Sequence, residues 1–487
     1  MLYLVWAMPA LIVVGLLASG RTTTLVASTI GLTVAIAVAL GAAPSEFRPS
    51  DAALALLRGT WIGWIVVPYI LGGLLFWQMA IRPGNAAMPV ETRHPQMRAR
   101  RRLLFTACFM IGPFSESATG FGVGIVGTMV LVRRLELQPL HLLAFSLLSQ
   151  TMILWGGMGN GAVVAAAFAR TDPTTLAVNA SFFQVALNVL WLPLYWRMAD
   201  KAGVVGSGRE RLSEAIWLGG SLALLIVATA LLGPEVAMLS AYGPVIVLRY
   251  FVDKQPARAD LLLAMRKMAP FALLIGWLVA IRLISPLAEF LLQAGRMQPF
   301  SGAPAWSPLF HAGTWLVLGA VLTACLRGYP STLKEETLLA WKTGRLAVLA
   351  VINFSMMAEI LAGSGIAEGL GAGIYHGFGR GAVVVTSLLS AGFGALANSG
   401  NAANGLFMSS QVSLATEAGL NVGAVIALQH TSALALNLIS PVRMSIVCSL
   451  AGTPGRERDA YGVMLPFAGA IGAVVLVGSL LVAFKVL

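Results

Sequence analysis

Apolar runs of about 20 residues recur along the whole chain, and that is the length at which a helix spans the hydrocarbon core of a bilayer. Thr60–Ile81, Leu212–Leu232, Ala269–Phe290 and Phe467–Phe484 are examples. Only 11% of the 487 residues are charged and 58% are hydrophobic, too little charge to cover the surfaces of soluble domains. The polar stretches between runs are short and leave no room for such a domain. A backbone in lipid must satisfy its own hydrogen bonds, which favours helices. The expected fold is therefore an all-α polytopic membrane protein. It would have about 12 transmembrane helices plus re-entrant or broken half-helices, arranged as a two-fold internal repeat. Met1–Ser19 lacks a basic leader and an A-x-A site, and reads as a first spanning helix.

The net charge is +12, and its distribution matters more than its size. Basic residues gather in short connectors: Arg93, Arg98, Arg100, Arg101 and Arg102; Arg197, Lys201, Arg209 and Arg211; Arg249, Lys254, Arg258, Arg266 and Lys267; Lys334, Lys342 and Arg345. This is a positive-inside pattern, and it argues against a nucleic-acid partner. It places the N-terminus outside and Arg21 inside. Leu25–Ala43 then crosses outward, Pro44–Gly59 is amphipathic or irregular, and Trp61–Ile81 returns.

Leu103–Val132 has basic residues at both ends and is too short for two spans. It is expected to be a hairpin of two half-helices, with helix breakers from Gly112 to Gly122 at its centre. A second interruption lies at Gly392–Gly405 and a third at Ile439–Arg443, around Pro441. The expected division is an N-terminal half, 1–210, with broken segment 103–132, and a C-terminal half, 211–487, with broken segments 391–411 and 439–444. One interrupted segment per half points to a transporter site built from internal repeats. The alternative is a set of small-residue packing faces.

Ionisable residues inside apolar runs are few, and each costs about 2.5–3.5 kcal/mol at a helix centre on insertion scales, so function is the first suspicion. Glu116 either handles a proton or caps free amides of a broken helix. His430, beside Gln429 and Thr431, either handles protons or is a structural hydrogen-bonder. His430 and Asn437 are seven apart and share a helix face. Arg443 either joins a half-helix dipole in attracting a carboxylate or snorkels to the inner interface. Ser115, Ser117, Thr119, Asn398, Ser399, Asn401, Asn404, Asn437 and Ser440 are the candidate neutral ligands for a substrate, and Gln150 offers a further amide. Glu359 and Glu368, flanking a Gly-rich turn, read as partly solvated. Gly122-Val123-Gly124-Ile125-Val126-Gly127 matches G-x-G-x-x-G without the strand and acidic residue of a nucleotide site. No G-x-S-x-G or H-E-x-x-H occurs, so hydrolytic chemistry has no support. The three cysteines lack metal-like spacing and read as packing residues. No cofactor, metal or catalytic residue is expected.

At these motifs the sequence resembles the L-lactate permease family. The family's F-G-A-F-x-E-G-x-x-G-F-G-type segment is similar to Ile111–Gly122, which keeps Phe114, Glu116 and Gly120-Phe121-Gly122. Its late G-S-D/N-T-x-x-N-x-L-F segment is similar to Asn398–Phe407, followed by Gln411. Its N-T-S-x-x-x-x-K-M-I-S-P-Q segment is similar to His430-Thr431-Ser432 and Asn437–Val442. Trp306-Ser307-Pro308-Leu309-Phe310 also agrees. The departures are Gly400 at an acidic or amide position, His430 at an asparagine, Asn437 at a lysine and Val442 at a glutamine. Arg443 brings a cation six residues after the lysine position. The resemblance implies a divergent organic-anion:proton symporter of a bacterial inner (plasma) membrane, taking up a small monocarboxylate such as lactate or a related 2-hydroxy acid. The alternatives are an anion channel or facilitator, and a carboxylate transporter coupled to sodium.

Overall fold

The computed structural model describes residues 2–82, 97–120, 122–151, 155–254 and 258–487; Arg93 and Phe121 lie outside them. Among the described residues the backbone is helical almost throughout, with one isolated bridge between Met297 and Trp306. Ten helical stretches are long and apolar enough to cross a membrane, and four shorter apolar helices accompany them. The first eight helices are α1 (Leu2–Ala18), α2 (Thr24–Ala42), α3 (Pro49–Ile81), α4 (Met97–Thr106), α5 (Gly112–Thr119), α6 (Val123–Arg133), α7 (Pro139–Leu147) and α8 (Asn160–Ala169). Then come α9 (Pro173–Lys201), α10 (Gly208–Leu232), α11 (Pro234–Lys254), α12 (Arg258–Leu283), α13 (Ser285–Gln293), α14 (Ala312–Leu326) and α15 (Leu333–Gly363). The last six are α16 (Ile366–Phe378), α17 (Ala382–Ala397), α18 (Gly400–Glu417), α19 (Val422–Ala435), α20 (Pro441–Leu450) and α21 (Glu457–Ala483).

One stretch differs from expectation. Most of Pro44–Gly59 is neither irregular nor separate: α3 starts at Pro49 and runs unbroken into the span. Proline suits a first helical turn, where its missing N–H is no loss. The Asp51 carboxylate accepts the Arg48 N–H at 2.9 Å and closes that turn.

Side-chain bonds gather distant connectors on common faces. Arg100 Nη2 donates to the Leu135 carbonyl at 2.7 Å, joining the start of α4 to the end of α6. Arg101 makes a two-pronged pair with Glu214, at 2.7 and 2.9 Å, and Arg211 reaches Asp200 at 2.5 Å. Arg133 donates to the Leu450 carbonyl. These basic connectors thus share one face, the one that the positive-inside expectation assigns to the cytoplasm. On the other face Arg170, just past α8, grips Glu359 at 2.7 and 2.8 Å, and Arg58 lies 3.2 Å from the same carboxylate. Glu359 is therefore buried between two arginines, against the expectation of partial solvation, while Glu368 is exposed. A carboxylate can leave water when charge-assisted bonds replace its hydration.

Single cysteines replacing Arg98 and Arg209 in a cysteine-free background are expected to resist an impermeant maleimide in intact cells. A cysteine replacing Arg48, whose side chain is 67% exposed on the other face, is expected to react. Labelling of position 98 or 209 from outside would invert the topology.

Candidate functional site

Two hairpins enter from opposite faces. The first descends from the basic face through α4, passes a π-helical turn at Ala107–Ile111, continues as α5 and returns as α6. Its tip needs left-handed backbone at Gly120 (φ 74°) and Gly122 (φ 78°), which glycine supplies at little cost. Glu116, only 6% exposed, holds the tip together. One carboxylate oxygen accepts the Gly122 N–H at 3.0 Å and the other accepts the Gly124 N–H at 2.9 Å. These are amides at the start of α6 that no helical carbonyl can reach, and the helix dipole there favours a negative charge. A Cβ on Gly124 would lie 2.5 Å from the Gly112 carbonyl oxygen, so glycine is what lets the limbs approach. Ser115, Ser117 and Thr119 are buried on α5. The Ser117 hydroxyl donates to the Phe114 carbonyl at 2.8 Å and that of Thr119 to the Ser115 carbonyl at 3.1 Å.

The second hairpin consists of α17 and α18. Its open end lies on the opposite face: Ser409 of α18 donates to the carbonyl of Phe168, beside Arg170. At the tip, Asn398 takes a left-handed conformation (φ 50°), and Ser399 caps α18 through the Ala402 N–H at 3.3 Å. Asn437 fastens the two limbs. With its amide set to match its neighbours, it donates to the Gly394 carbonyl at 2.6 Å and accepts the Gly400 N–H at 3.1 Å.

Each hairpin is paired with a broken helix. In α19–α20 the break is a 3-10 turn at Leu436–Ile439 followed by Pro441, close to the expected interruption. In α7–α8 the break covers a 3-10 turn at Leu148–Gln150 and left-handed Gly156, Met158 and Gly159. The apolar run Leu140–Arg170 reads by sequence as one continuous crossing, which the structure interrupts. The dense run Trp155-Gly156-Gly157-Met158-Gly159-Asn160-Gly161 was the available signal. A Cβ on Gly157 would sit 2.9 Å from the Gly120 amide, so this break presses against the tip of the first hairpin.

The tip of the second hairpin and both breaks converge on Arg443. Ser440 caps α20 by accepting the Arg443 N–H at 3.2 Å, and its own hydroxyl donates to Asn398 Oδ1 at 2.8 Å. The same oxygen accepts from Arg443 Nε at 2.9 Å, and Nη1 donates to Gln150 Oε1. Nη2 has no protein acceptor among the described residues. No carboxylate lies within 4.0 Å of the guanidinium there; Glu116 is the acid that acts on it electrostatically. Arg443 therefore does not snorkel to the interface. It turns inward, half-buried, and neutral amides hold it in place without cancelling its charge. Such an arrangement can receive an anion, since a guanidinium matches a carboxylate in geometry and charge.

The other predicted residues form a second group between α18 and α19. His430 Nδ1 meets Asn404 Nδ2 at 3.1 Å, and both residues are buried. Gln429 donates to Ser390 at 2.8 Å, and Thr386 to Gln411 at 3.1 Å. The Oδ1 atoms of Asn401 and Asn404 and the Ser432 hydroxyl are buried without a partner among the described residues. Such open polar atoms can take hydrogen bonds from water or from a ligand. His430 and Asn437 do not act from one helix face. The α-helix ends at Ala435, and the tighter 3-10 turn carries Asn437 onto the hairpin backbone while His430 meets Asn404. No three His, Cys, Asp or Glu side chains converge as a metal site among the described residues.

Residues 297–485 match the family model described as L-lactate permease. The chain is 23% identical to L-lactate permease of Escherichia coli (strain K12), covering 88% of this chain and 86% of that protein. It is 23% identical to L-lactate permease of Salmonella typhi, with 89% and 86% covered. To glycolate permease GlcA of Escherichia coli (strain K12) it is 22% identical, with 92% and 90% covered.

Proposed function

We propose that this chain, which is similar to L-lactate permeases over most of its length, carries lactate or a related 2-hydroxy acid across the bacterial inner membrane in symport with protons. The observation that carries this reading is the guanidinium of Arg443, held by neutral amides between the tip of the second hairpin and the break in α7–α8, with no carboxylate within 4.0 Å among the described residues. A carboxylate would pair with Nη2 there. Ser399, Asn401 and Asn404 would supply amide and hydroxyl groups to a 2-hydroxyl. Glu116 and His430 are the groups assigned to the proton. In this reading each half, 1–210 and 211–487, contributes one hairpin and one broken helix, inverted with respect to the other.

Energetics favour a co-transported cation, and the proton is the one assigned here. Moving one negative charge inward against an interior-negative potential costs about 2.3 kcal/mol per 100 mV, and a co-transported proton cancels it. In proteoliposomes with an imposed pH gradient, lactate or glycolate is expected to accumulate above its equilibrium level, and a protonophore is expected to abolish this. Pyruvate and acetate serve as tests of the hydroxyl requirement. Flux that only equilibrates would indicate a channel or facilitator, and accumulation driven by a sodium gradient alone would replace the proton.

A further inference from the structure

Far from the hairpin tips, the basic face holds a cavity of about 290 Å³ between the starts of α4 and α10. Five arginines, Arg98, Arg101, Arg102, Arg209 and Arg249, line it against two glutamates, Glu210 and Glu214. The inner wall is internally satisfied. Arg101 is bound by both oxygens of Glu214 and by the Val204 carbonyl at 2.8 Å, and Arg249 Nε lies 2.6 Å from Asp253. The mouth is not. Arg98 reaches Glu210 only at 4.0 Å, and Arg102 shares Asp253, at 3.3 Å, with Arg249. Arg209 is exposed, with no acid within 4.0 Å among the described residues. Arg209 therefore presents a positive charge that no nearby acid among the described residues cancels, while Arg98 holds its acid loosely and Arg102 has only a shared one.

The surface beneath the mouth is apolar. Leu212 and Ile216, one turn apart on α10, are 61% and 66% exposed and continue the same helix away from the arginines. A cationic cavity with an exposed aliphatic stripe running from it into the membrane matches a phospholipid more than a soluble anion. We propose that this cavity binds the phosphate of an anionic phospholipid of the cytoplasmic leaflet, with an acyl chain lying along Leu212 and Ile216. Basic residues near such a leaflet attract its headgroups electrostatically. The site is separate from substrate transport and rests on neither the carboxylate nor the proton assignment.

The test is native mass spectrometry of the purified full chain with phosphatidylglycerol, phosphatidylcholine or inorganic phosphate. Phosphatidylglycerol is expected to remain bound where phosphatidylcholine does not. Each of Arg98→Gln, Arg102→Gln and Arg209→Gln is expected to weaken retention roughly fivefold, equivalent to about 1 kcal/mol per basic residue. Leu212→Ser with Ile216→Ser is expected to weaken it while leaving the arginines intact. Retention of phosphatidylglycerol by the triple arginine variant would overturn the site. Competition by millimolar inorganic phosphate, with no effect of the two serine changes, would overturn the lipid and leave a soluble anion. Should the triple variant fail to fold, the exposed Arg209→Gln change alone must still show the loss, or the proposal fails.

Discussion

Arg443→Gln is expected to raise the KM for the transported carboxylate by about two orders of magnitude, with a smaller effect on the maximal rate. Removing one partner of a buried, hydrogen-bonded charge pair typically costs about 2–5 kcal/mol, and about 1.4 kcal/mol is a factor of ten. Glutamine is the discriminating replacement. It can still donate to Asn398 or Gln150 and so keeps part of the local scaffold while removing the charge. Arg443→Lys should recover part of the loss, as a point charge without the planar fork. Substrate-induced thermal stabilisation should fall together with the KM effect, which a merely structural arginine would not produce. Normal KM in Arg443→Gln would remove the anion-pairing role. Restoring the cation at the family position, by adding Asn437→Lys, is expected to fail. Asn437 is committed to the Gly394 carbonyl and the Gly400 amide, and a lysine there could not accept the second bond.

How the sequence exposed some of this and hid the rest follows from the signals each element leaves. The first hairpin was readable from charge and length: arginines at both ends of a run too short to cross twice. The break at Pro441 was readable because proline cannot continue an α-helix. The break in α7–α8 was missed because glycines inside an apolar run also occur in closely packed membrane helices. What decides the matter at Gly157 is the nearby Gly120 amide, 37 residues away in sequence, and no local pattern carries that distance. Asn398 was a candidate through its cluster of amides, but its part as the acceptor shared by Ser440 and Arg443 depends on contacts 42 and 45 residues apart. Gln150 was noted only as a loose amide, since nothing near it in sequence points to Arg443. Glu359 was misjudged for a similar reason. Its two arginines come from α3 and from the end of α8, and a Gly-rich neighbourhood suggested water instead.

The second large effect is expected at Glu116. Glu116→Gln should abolish uptake driven by a pH gradient and leave substrate exchange across the membrane largely intact. Both carboxylate oxygens accept backbone N–H groups of Gly122 and Gly124. A proton on one oxygen would weaken that oxygen as an acceptor and add an O–H donor that needs a partner of its own, so the proton weakens one of the two cap bonds. Binding a proton would therefore loosen the start of α6, and losing a helix cap costs about 0.5–2 kcal/mol. The loosened tip is the one Gly157 presses against, in a break whose other end carries Gln150, an acceptor for Arg443. Protonation at Glu116 could thus change how the hairpin tips hold the guanidinium and hence the substrate. A glutamine, always uncharged and always presenting an NH2, would fix the chain near the protonated arrangement. Exchange needs no proton cycling and should survive, whereas net uphill movement should not. Counterflow of labelled against unlabelled lactate, measured beside accumulation under an imposed gradient, separates the two. Loss of both activities with a normal elution profile would assign Glu116 to substrate binding. Full accumulation by Glu116→Gln would confine the residue to capping α6 and pass the proton to His430, where His430→Gln would then be expected to uncouple transport.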